Sequence, residues 1–207
     1  MNQLYPILLD ISKKRILIIG GGSVAARKAR GVLDAGATDV AAVAPDFCDS
    51  FPAGIRRIER GFEDADLDGV WLCFTTTDNP VLNARIVQLC QAREILVNRA
   101  DRDNDNAGDF TVPAVHRAGA ITVAVSAAGS PAIAAGIRTD IAKSLDPAWG
   151  EYASAMATIR RDIVESGNPP EVRQEMLRLA ATHAALEAYK TGGISAVRIL
   201  LAQRHLS

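Results

Sequence analysis

The N-terminal half of the chain alternates between two patterns of apolar and polar positions. Short runs such as RILII at 15–19 are apolar on both faces, which is typical of central strands in a parallel sheet. Between these runs, apolar residues recur every three or four positions, the spacing of one helix face. The predicted strands are 15–19, 40–44, 54–60, 70–74 and 95–97, and the predicted helices are 24–35 and 80–92. This alternation predicts a doubly wound, mainly parallel sheet.

The pattern changes after the fifth predicted strand. Residues 98–109 are rich in Asp and Asn and are predicted to form a loop. A strand at 120–126 is followed by a helix that begins at Ser130-Pro131, a capping residue and a first-turn proline, and runs to 145. Further helices are predicted at 148–166, 169–190 and 194–205. We therefore expect a Rossmann-like α/β domain over 1–112, a small strand-and-helix segment over 113–146 and a helical domain over 147–207.

Composition narrows the class of partner. The 23 Lys and Arg residues nearly balance the 24 Asp and Glu residues, so there is no basic excess for binding nucleic acid. No run approaches the roughly 20 apolar residues of a membrane-spanning helix, and the first residues lack a leader pattern. The three cysteines form no CxxC pair and the three histidines are far apart, so we expect neither a disulfide framework nor a metal site. These features predict a cytoplasmic protein.

A glycine turn joins the first predicted strand to the first predicted helix. Its sequence, Gly20-x-Gly22-x-x-Ala25, is the Rossmann fingerprint with Ala in the last position. Gly20 permits the tight turn, Gly22 lets the backbone approach a pyrophosphate, and Ala25 lets the helix pack close to the strand. The phosphates would bind the free N–H groups at the start of the helix. The alternative is a glycine turn without a ligand.

The end of the second strand bears on the choice between NAD and NADP. An acidic residue that binds the ribose hydroxyls is expected here, and the first acid is Asp46. Asp46 could bind ribose or simply face solvent. No Arg that could bind a 2′-phosphate stands at this position, so NAD is favoured. With the polar end of a later strand included, the candidate cofactor-binding residues are Gly20, Gly21, Gly22, Ser23, Val24, Pro45, Asp46, Thr76, Thr77 and Asp78.

Several short motifs of the chain occur together in one enzyme family. The segment GGGSVAARK at 20–28 resembles that family's GGG-x-VA-x-RK opening, and Val97-Asn98-x-x-Asp101 resembles its V-N-x-x-D segment. Further matches are Val43-Ala44-Pro45, Thr76-Thr77-Asp78, Phe110-x-x-Pro113, Val123-Ala124-Val125-Ser126 and Gly129-x-Pro131. Over residues 4–145, the chain resembles the precorrin-2 dehydrogenase and sirohydrochlorin ferrochelatase family, which includes the N-terminal module of siroheme synthases.

The resemblance implies a specific activity. Proteins of this family use NAD to oxidise precorrin-2 to sirohydrochlorin, and some also insert ferrous iron to give siroheme. They form intertwined homodimers through the segment after the Rossmann sheet. By position, the aspartate that serves both reactions is Asp101, and Asn98 of the same motif is assigned to the cofactor. The predicted substrate-binding residues are four arginines, suited to a carboxylate-rich substrate, and one serine: Arg99, Arg102, Arg117, Arg138 and Ser126.

The chain departs from the family pattern at two places. The segment 102–109 is longer than the family form and unusually acidic, and Ala127 stands where relatives often have a second serine. Two alternatives stay open: an NAD oxidoreductase for a different polyanionic substrate, and a non-catalytic nucleotide sensor that gates a partner. The V-N-x-x-D segment disfavours the sensor, because gating requires no general base.

Overall fold

The computed structural model describes residues 4–100, 108–127 and 129–203. Strands and helices alternate along the first part of the chain, as the apolar pattern predicts. The elements are β1 (Arg15–Ile19), α1 (Ser23–Asp34), β2 (Asp39–Ala44), β3 (Arg56–Glu59), β4 (Leu72–Thr75), α2 (Pro80–Ala92), β5 (Leu96–Arg99), β6 (Ala114–Ala118), β7 (Ile121–Val125), α3 (Pro131–Ser144), α4 (Ala148–Glu165), α5 (Pro170–Ala180) and α6 (His183–Gln203). The chain divides into two units after Val112, and each is described by itself.

The first unit is built on a five-stranded parallel sheet with the order β3-β2-β1-β4-β5. Successive residues of β1 point to opposite faces: Ile16 and Ile18 join the core under α1, whereas Leu17 and Ile19 join the core on the face that α2 covers. All four are at most 2% exposed, which explains why the strand reads as a continuous apolar run. The strand order reverses between β1 and β4, and open α/β sheets bind their ligands at the carboxyl end of such a reversal.

The second unit combines a two-stranded antiparallel sheet, β6-β7, with helices α3 to α6. Its core lies among the last three helices, where Tyr152, Ile159 and Ile163 of α4 pack with residues of α5 and α6. The turn of the β6-β7 hairpin approaches the start of α4 backbone to backbone. A Cβ at Gly119 would lie 2.5 Å from the Gly150 carbonyl oxygen, so neither glycine has room for a side chain.

The predicted fold class is confirmed: a Rossmann-like parallel sheet is followed by a small α/β segment and a helical part. Two elements differ from the prediction. Strand β6 was not predicted, because AVHRA has no regular alternation and every position except Arg117 is half-buried. The single helix expected over 169–190 is two helices, since the chain turns at Ala181 and Thr182. The break expected before residue 194 is present, because the backbone of α6 is not helical at Gly192 and Gly193. The three-part division of the chain into domains remains a prediction.

Candidate functional site

The glycine turn after β1 is tightly enclosed on one side and open on the other. Gly20 has φ +126°, and a Cβ there would collide with the side chain of Thr76. A Cβ at Gly21 would collide with the carbonyl oxygen of Asp46. By contrast, a Cβ at Gly22 would meet no atom of the described chain within 4 Å. The turn is therefore packed against the ends of β2 and β4, and it leaves room beside Gly22.

The N-terminus of α1 opens next to that space. Gly22 is its N-cap residue, and among the described residues no side chain caps the helix and no acidic residue lies in its first turn. The backbone N–H groups at Ser23 and Val24 thus lack a capping side chain, and the positive end of the helix dipole adds to their attraction for an anion. Room for a ligand beside uncapped N–H groups fits the pyrophosphate of a dinucleotide.

The ends of β2 and β4 flank the glycine turn through backbone hydrogen bonds. The Gly20 N–H donates to the Val43 carbonyl at 2.9 Å, and the Thr76 N–H donates to the Ile19 carbonyl at 2.8 Å. Pro45 and Asp46 follow β2 and are exposed. The structure therefore brings the predicted residues at 20–24, 45–46 and 76–78 to one edge of the sheet.

A buried asparagine of α2 holds the turn after β4. The Oδ1 atom of Asn83 accepts hydrogen bonds from the Thr75 hydroxyl at 2.6 Å, the Thr77 hydroxyl at 2.7 Å and the Thr77 N–H at 3.2 Å. Its Nδ2 atom donates to the Thr77 carbonyl at 2.9 Å. Asn83 is not among the site residues predicted from the sequence. A polar residue on the apolar face of a predicted helix, four positions after the capping residue Asn79, is the signal that could have revealed it.

The last residues of β5 are buried and polar. Asn98 is 5% exposed, and its Nδ2 atom donates to the Phe110 carbonyl at 2.8 Å. Its Oδ1 atom is buried and has no hydrogen-bond partner among the described residues. Arg99, predicted to bind substrate, is 6% exposed and donates to the Pro80 carbonyl at 3.4 Å. The predicted roles of both residues remain predictions.

The other predicted site residues divide into two sets. Asp101, assigned as the catalytic base, and Arg102 lie outside the described residues. Three belong to the second unit: Arg117 is an exposed residue of β6, Ser126 is exposed directly after β7, and Arg138 is half-buried on α3. Their roles in binding substrate also remain predictions.

Lys28 of α1 has a strongly displaced pKa. Its Nζ atom lies 5.7 Å from the centre of the Phe74 ring of β4, and burial lowers the pKa of the amine to about 8. The neighbouring charge of Arg27 lowers it further. No ion-pair partner for this amine is found among the residues that the structure describes. Lys28 is therefore a desolvated cation next to the end of the sheet.

Two kinds of feature are absent from the described ranges, a membrane-spanning helix and a cluster of metal-binding side chains. No helix there is both long and apolar enough to cross a membrane. No group of three or more His, Cys, Asp or Glu side chains there is arranged to hold a metal ion.

The fold and the glycine turn define a dinucleotide-binding protein of the Rossmann type. Residues 7–114 match the family model described as "Putative NAD(P)-binding", and the chain belongs to that family. The predicted nicotinamide dinucleotide cofactor, NAD, is confirmed by this membership.

Sequence relatives and a solved structure confirm the resemblance seen in the motifs. The chain is 34% identical over 159 residues to the siroheme synthase of Photobacterium profundum, and these residues are 74% of the chain and 33% of the relative. It is 34% identical over 160 residues to the siroheme synthase of Escherichia coli O139:H28, covering 75% of the chain and 35% of the relative. The chain thus spans about a third of the length of these relatives. The solved structure of SirC, a precorrin-2 dehydrogenase, superposes on this chain with a TM-score of 0.76 at 22% identity. The superposition covers 99% of this chain and 100% of that one, and this likeness shows the fold.

Proposed function

We propose that the chain is an NAD-dependent dehydrogenase that oxidises precorrin-2 to sirohydrochlorin. The observation that carries the proposal is the open space beside Gly22, where uncapped N–H groups of α1 face a position with room for a pyrophosphate. The siroheme synthases and SirC, named above, support precorrin-2 as the substrate. When bound, the nicotinamide would accept the hydride, and the protein would position it and receive the proton.

The residues after β2 support NAD over NADP. The exposed carboxylate of Asp46 follows the strand end, where the ribose of the adenosine half binds in this fold. A carboxylate can accept hydrogen bonds from ribose hydroxyls, whereas it would repel a 2′-phosphate. Asp46 therefore favours the cofactor without that phosphate.

Asp101 is our candidate for the group that receives the proton. It follows the last residue of β5 by two positions in the sequence, and it matches the aspartate of the V-N-x-x-D motif. A carboxylate within hydrogen-bond reach of the substrate could act as the general base. Insertion of ferrous iron, as a substrate, at the same carboxylate is a second activity that the family resemblance supports.

A homodimer forms part of the proposal. Helix α3 buries only Ala134 among its residues, while Ile133 is 57% exposed and Ile137 is 44% exposed. A second copy that covered this face would remove apolar surface from water. The proposal also places the protein in the cytoplasm, as expected from its cysteines, and the three cysteines form no disulfide in the structure.

An absorbance time course with precorrin-2 tests the activity. Protein and NAD should convert precorrin-2 to sirohydrochlorin, and ferrous ion would be added in a second run to detect siroheme. The variant Asp101→Asn should lose oxidation while its NAD affinity stays almost unchanged. Oxidation at near-parental rate in this variant would show that Asp101 is not the base, and NAD binding without any turnover would favour the sensor.

A pair of glycine variants on α1 tests the cofactor site. Gly22→Asp should abolish NAD binding in calorimetry, because its carboxylate would occupy the space beside the uncapped N–H groups. The matched control is Gly31→Asp, since Gly31 lies on the same helix and its Cβ direction is equally open. NAD binding that survives in Gly22→Asp would overturn this placement of the pyrophosphate.

A further inference from the structure

The buried amide of Asn98 presents an acceptor that no described residue uses. Its Nδ2 atom donates to the Phe110 carbonyl, so its Oδ1 atom points away from that contact. Its Oδ1 atom is buried without a donor among the described residues. Buried polar atoms in folded proteins are normally paired, so an unpaired oxygen at a strand end indicates a donor that arrives with a ligand.

The amine of Lys28 borders the same aromatic side chain as Asn98. Asn98 pairs with Phe74 in the register of β4 and β5, so the two are neighbours on one face of the sheet. Phe74 packs edge to face on Phe110, with ring centres 5.6 Å apart, and the Lys28 amine lies 5.7 Å from the Phe74 ring centre. One donor-only cation and one unused acceptor therefore flank a single apolar surface.

This surface lies on the half of the sheet where the nicotinamide is expected. The adenosine half of a dinucleotide binds near the end of β2, and the molecule crosses the reversal in strand order to reach β4 and β5. Phe74 is the next-to-last residue of β4, and Asn98 is the next-to-last residue of β5. The cofactor bound at Gly22 would therefore extend its second half toward this pair.

We propose that Asn98 and Lys28 together hold the carboxamide of the bound nicotinamide. Asn98 Oδ1 accepts from the carboxamide N–H, and the Lys28 amine donates to the carboxamide oxygen. A primary carboxamide offers one acceptor and one donor, which matches this pair. A carboxylate offers only acceptors and would face the Asn98 oxygen, so Asn98 is the member of the pair that favours the amide. The inference rests on the proposed function, because it requires a dinucleotide at the glycine turn.

The charge of Lys28 has a consequence for the bound cofactor. The oxidised nicotinamide ring carries a positive charge that is lost when it accepts a hydride. A cation beside the ring disfavours the oxidised form relative to the reduced form. Because the pKa of Lys28 is about 8 in the protein without cofactor, the amine carries its proton at pH 7 before the cofactor binds. Lys28 therefore makes the bound cofactor a stronger hydride acceptor.

Calorimetry with four nucleotides tests the carboxamide contact. The ligands are NAD, NADH, ADP-ribose, which lacks the nicotinamide, and nicotinic acid adenine dinucleotide, which carries a carboxylate in place of the amide. Asn98→Ala should weaken NAD and NADH binding by about tenfold, as expected for one lost hydrogen bond, and leave ADP-ribose binding within about twofold. It should also reduce the preference of the parent protein for NAD over the carboxylate analogue.

The variant Lys28→Met tests the effect of charge. The ratio of the dissociation constant for NAD to that for NADH should fall by about fivefold, because the variant no longer repels the positively charged ring of the oxidised cofactor. The matched control is Arg27→Met, the exposed neighbour on α1, which should leave the ratio unchanged.

Three outcomes would overturn the inference. If Asn98→Ala weakens ADP-ribose as much as NAD, Asn98 is structural. If both Asn98→Ala and Lys28→Met match the parent for all four ligands, the nicotinamide does not use this pair, although the proposed function stands. If the parent protein binds neither NAD nor ADP-ribose, the proposed function fails and this inference fails with it.

Discussion

The two units of the chain bury their apolar side chains to different extents. In the first unit, every residue of β1 except Arg15 and every residue of β2 except Asp39 is buried. In the second unit, β7 alternates half-buried and exposed positions, and Ile133 and Ile137 of α3 are exposed. The first unit also exposes the large apolar side chains of segment 4–9, Val81 and Val112, but the core on both faces of its sheet is buried within one chain. The second keeps an uncovered face, which supports the proposed homodimer.

The largest effect on stability is expected at the glycine turn of the first unit. Gly21→Ala should lower the free energy of unfolding by at least about 3 kcal/mol, because its Cβ would collide with the backbone of Asp46 unless the chain shifts there. Urea denaturation measures the change. The control Gly22→Ala, where the space is open, should cost about 1 kcal/mol or less. Equal losses in the two variants would contradict the contrast between the enclosed and open sides of the turn.

The next largest effect is expected at Asn83 of α2. Asn83→Ala should lower the free energy of unfolding by about 2–3 kcal/mol, since it removes the acceptor of the buried Thr75 hydroxyl and three hydrogen bonds to Thr77. Dinucleotide affinity should fall as well, because the turn after β4 loses its support. Asn79→Ala, at the exposed N-cap of the same helix, should cost about 1 kcal/mol in urea denaturation. A smaller loss at Asn83 than at Asn79 would show that the buried network contributes little.

A charge on the exposed face of α3 tests the second unit. Ile133→Glu should raise the dissociation constant of the proposed dimer by at least about tenfold, because a buried carboxylate would have to lose its water. Analytical ultracentrifugation measures the constant. Val81→Glu places the same charge on a side chain of α2 that is 77% exposed, against 57% for Ile133, and should leave association unchanged. Equal self-association of both variants would argue against an interface on α3.

The smallest effect is expected at two open helix glycines. Gly31→Ala on α1 and Gly136→Ala on α3 should each raise the free energy of unfolding by about 0.5–1 kcal/mol, because alanine favours the helix and neither Cβ meets an atom within 4 Å in the described chain. Thermal unfolding of dilute protein measures both. A loss of stability at Gly136 alone that appears only when the protein is concentrated would indicate that backbone from a second copy approaches α3 there.

The sequence predicts the first unit well because its signals are local. The apolar run of β1, the glycines after it and the cap of α2 each determine their element within a few residues. Asn79 caps α2 and Pro80 begins it, which agrees with the helix predicted over 80–92. The nucleotide turn lies at the expected edge of the sheet because parallel strands place their carboxyl ends together.

The features that the sequence does not predict depend on tertiary contacts. Strand β6 exists because His116 and its neighbours pair with β7, and the pattern of AVHRA alone carries no such signal. The network around Asn83 is visible only when α2 packs under the turn after β4. The displaced pKa of Lys28 arises from burial beside Phe74, which lies 46 residues further along the chain.

The contact between Gly119 and Gly150 limits how this protein can be labelled. A hairpin turn is ordinarily a good place to insert an epitope tag or a fluorescent reporter. Here the turn lies directly against the backbone at the start of α4, so an insertion would separate the hairpin from the helices behind it. The turn at Gly54, where an added Cβ meets no described atom, is the better insertion point for following the protein without disturbing it.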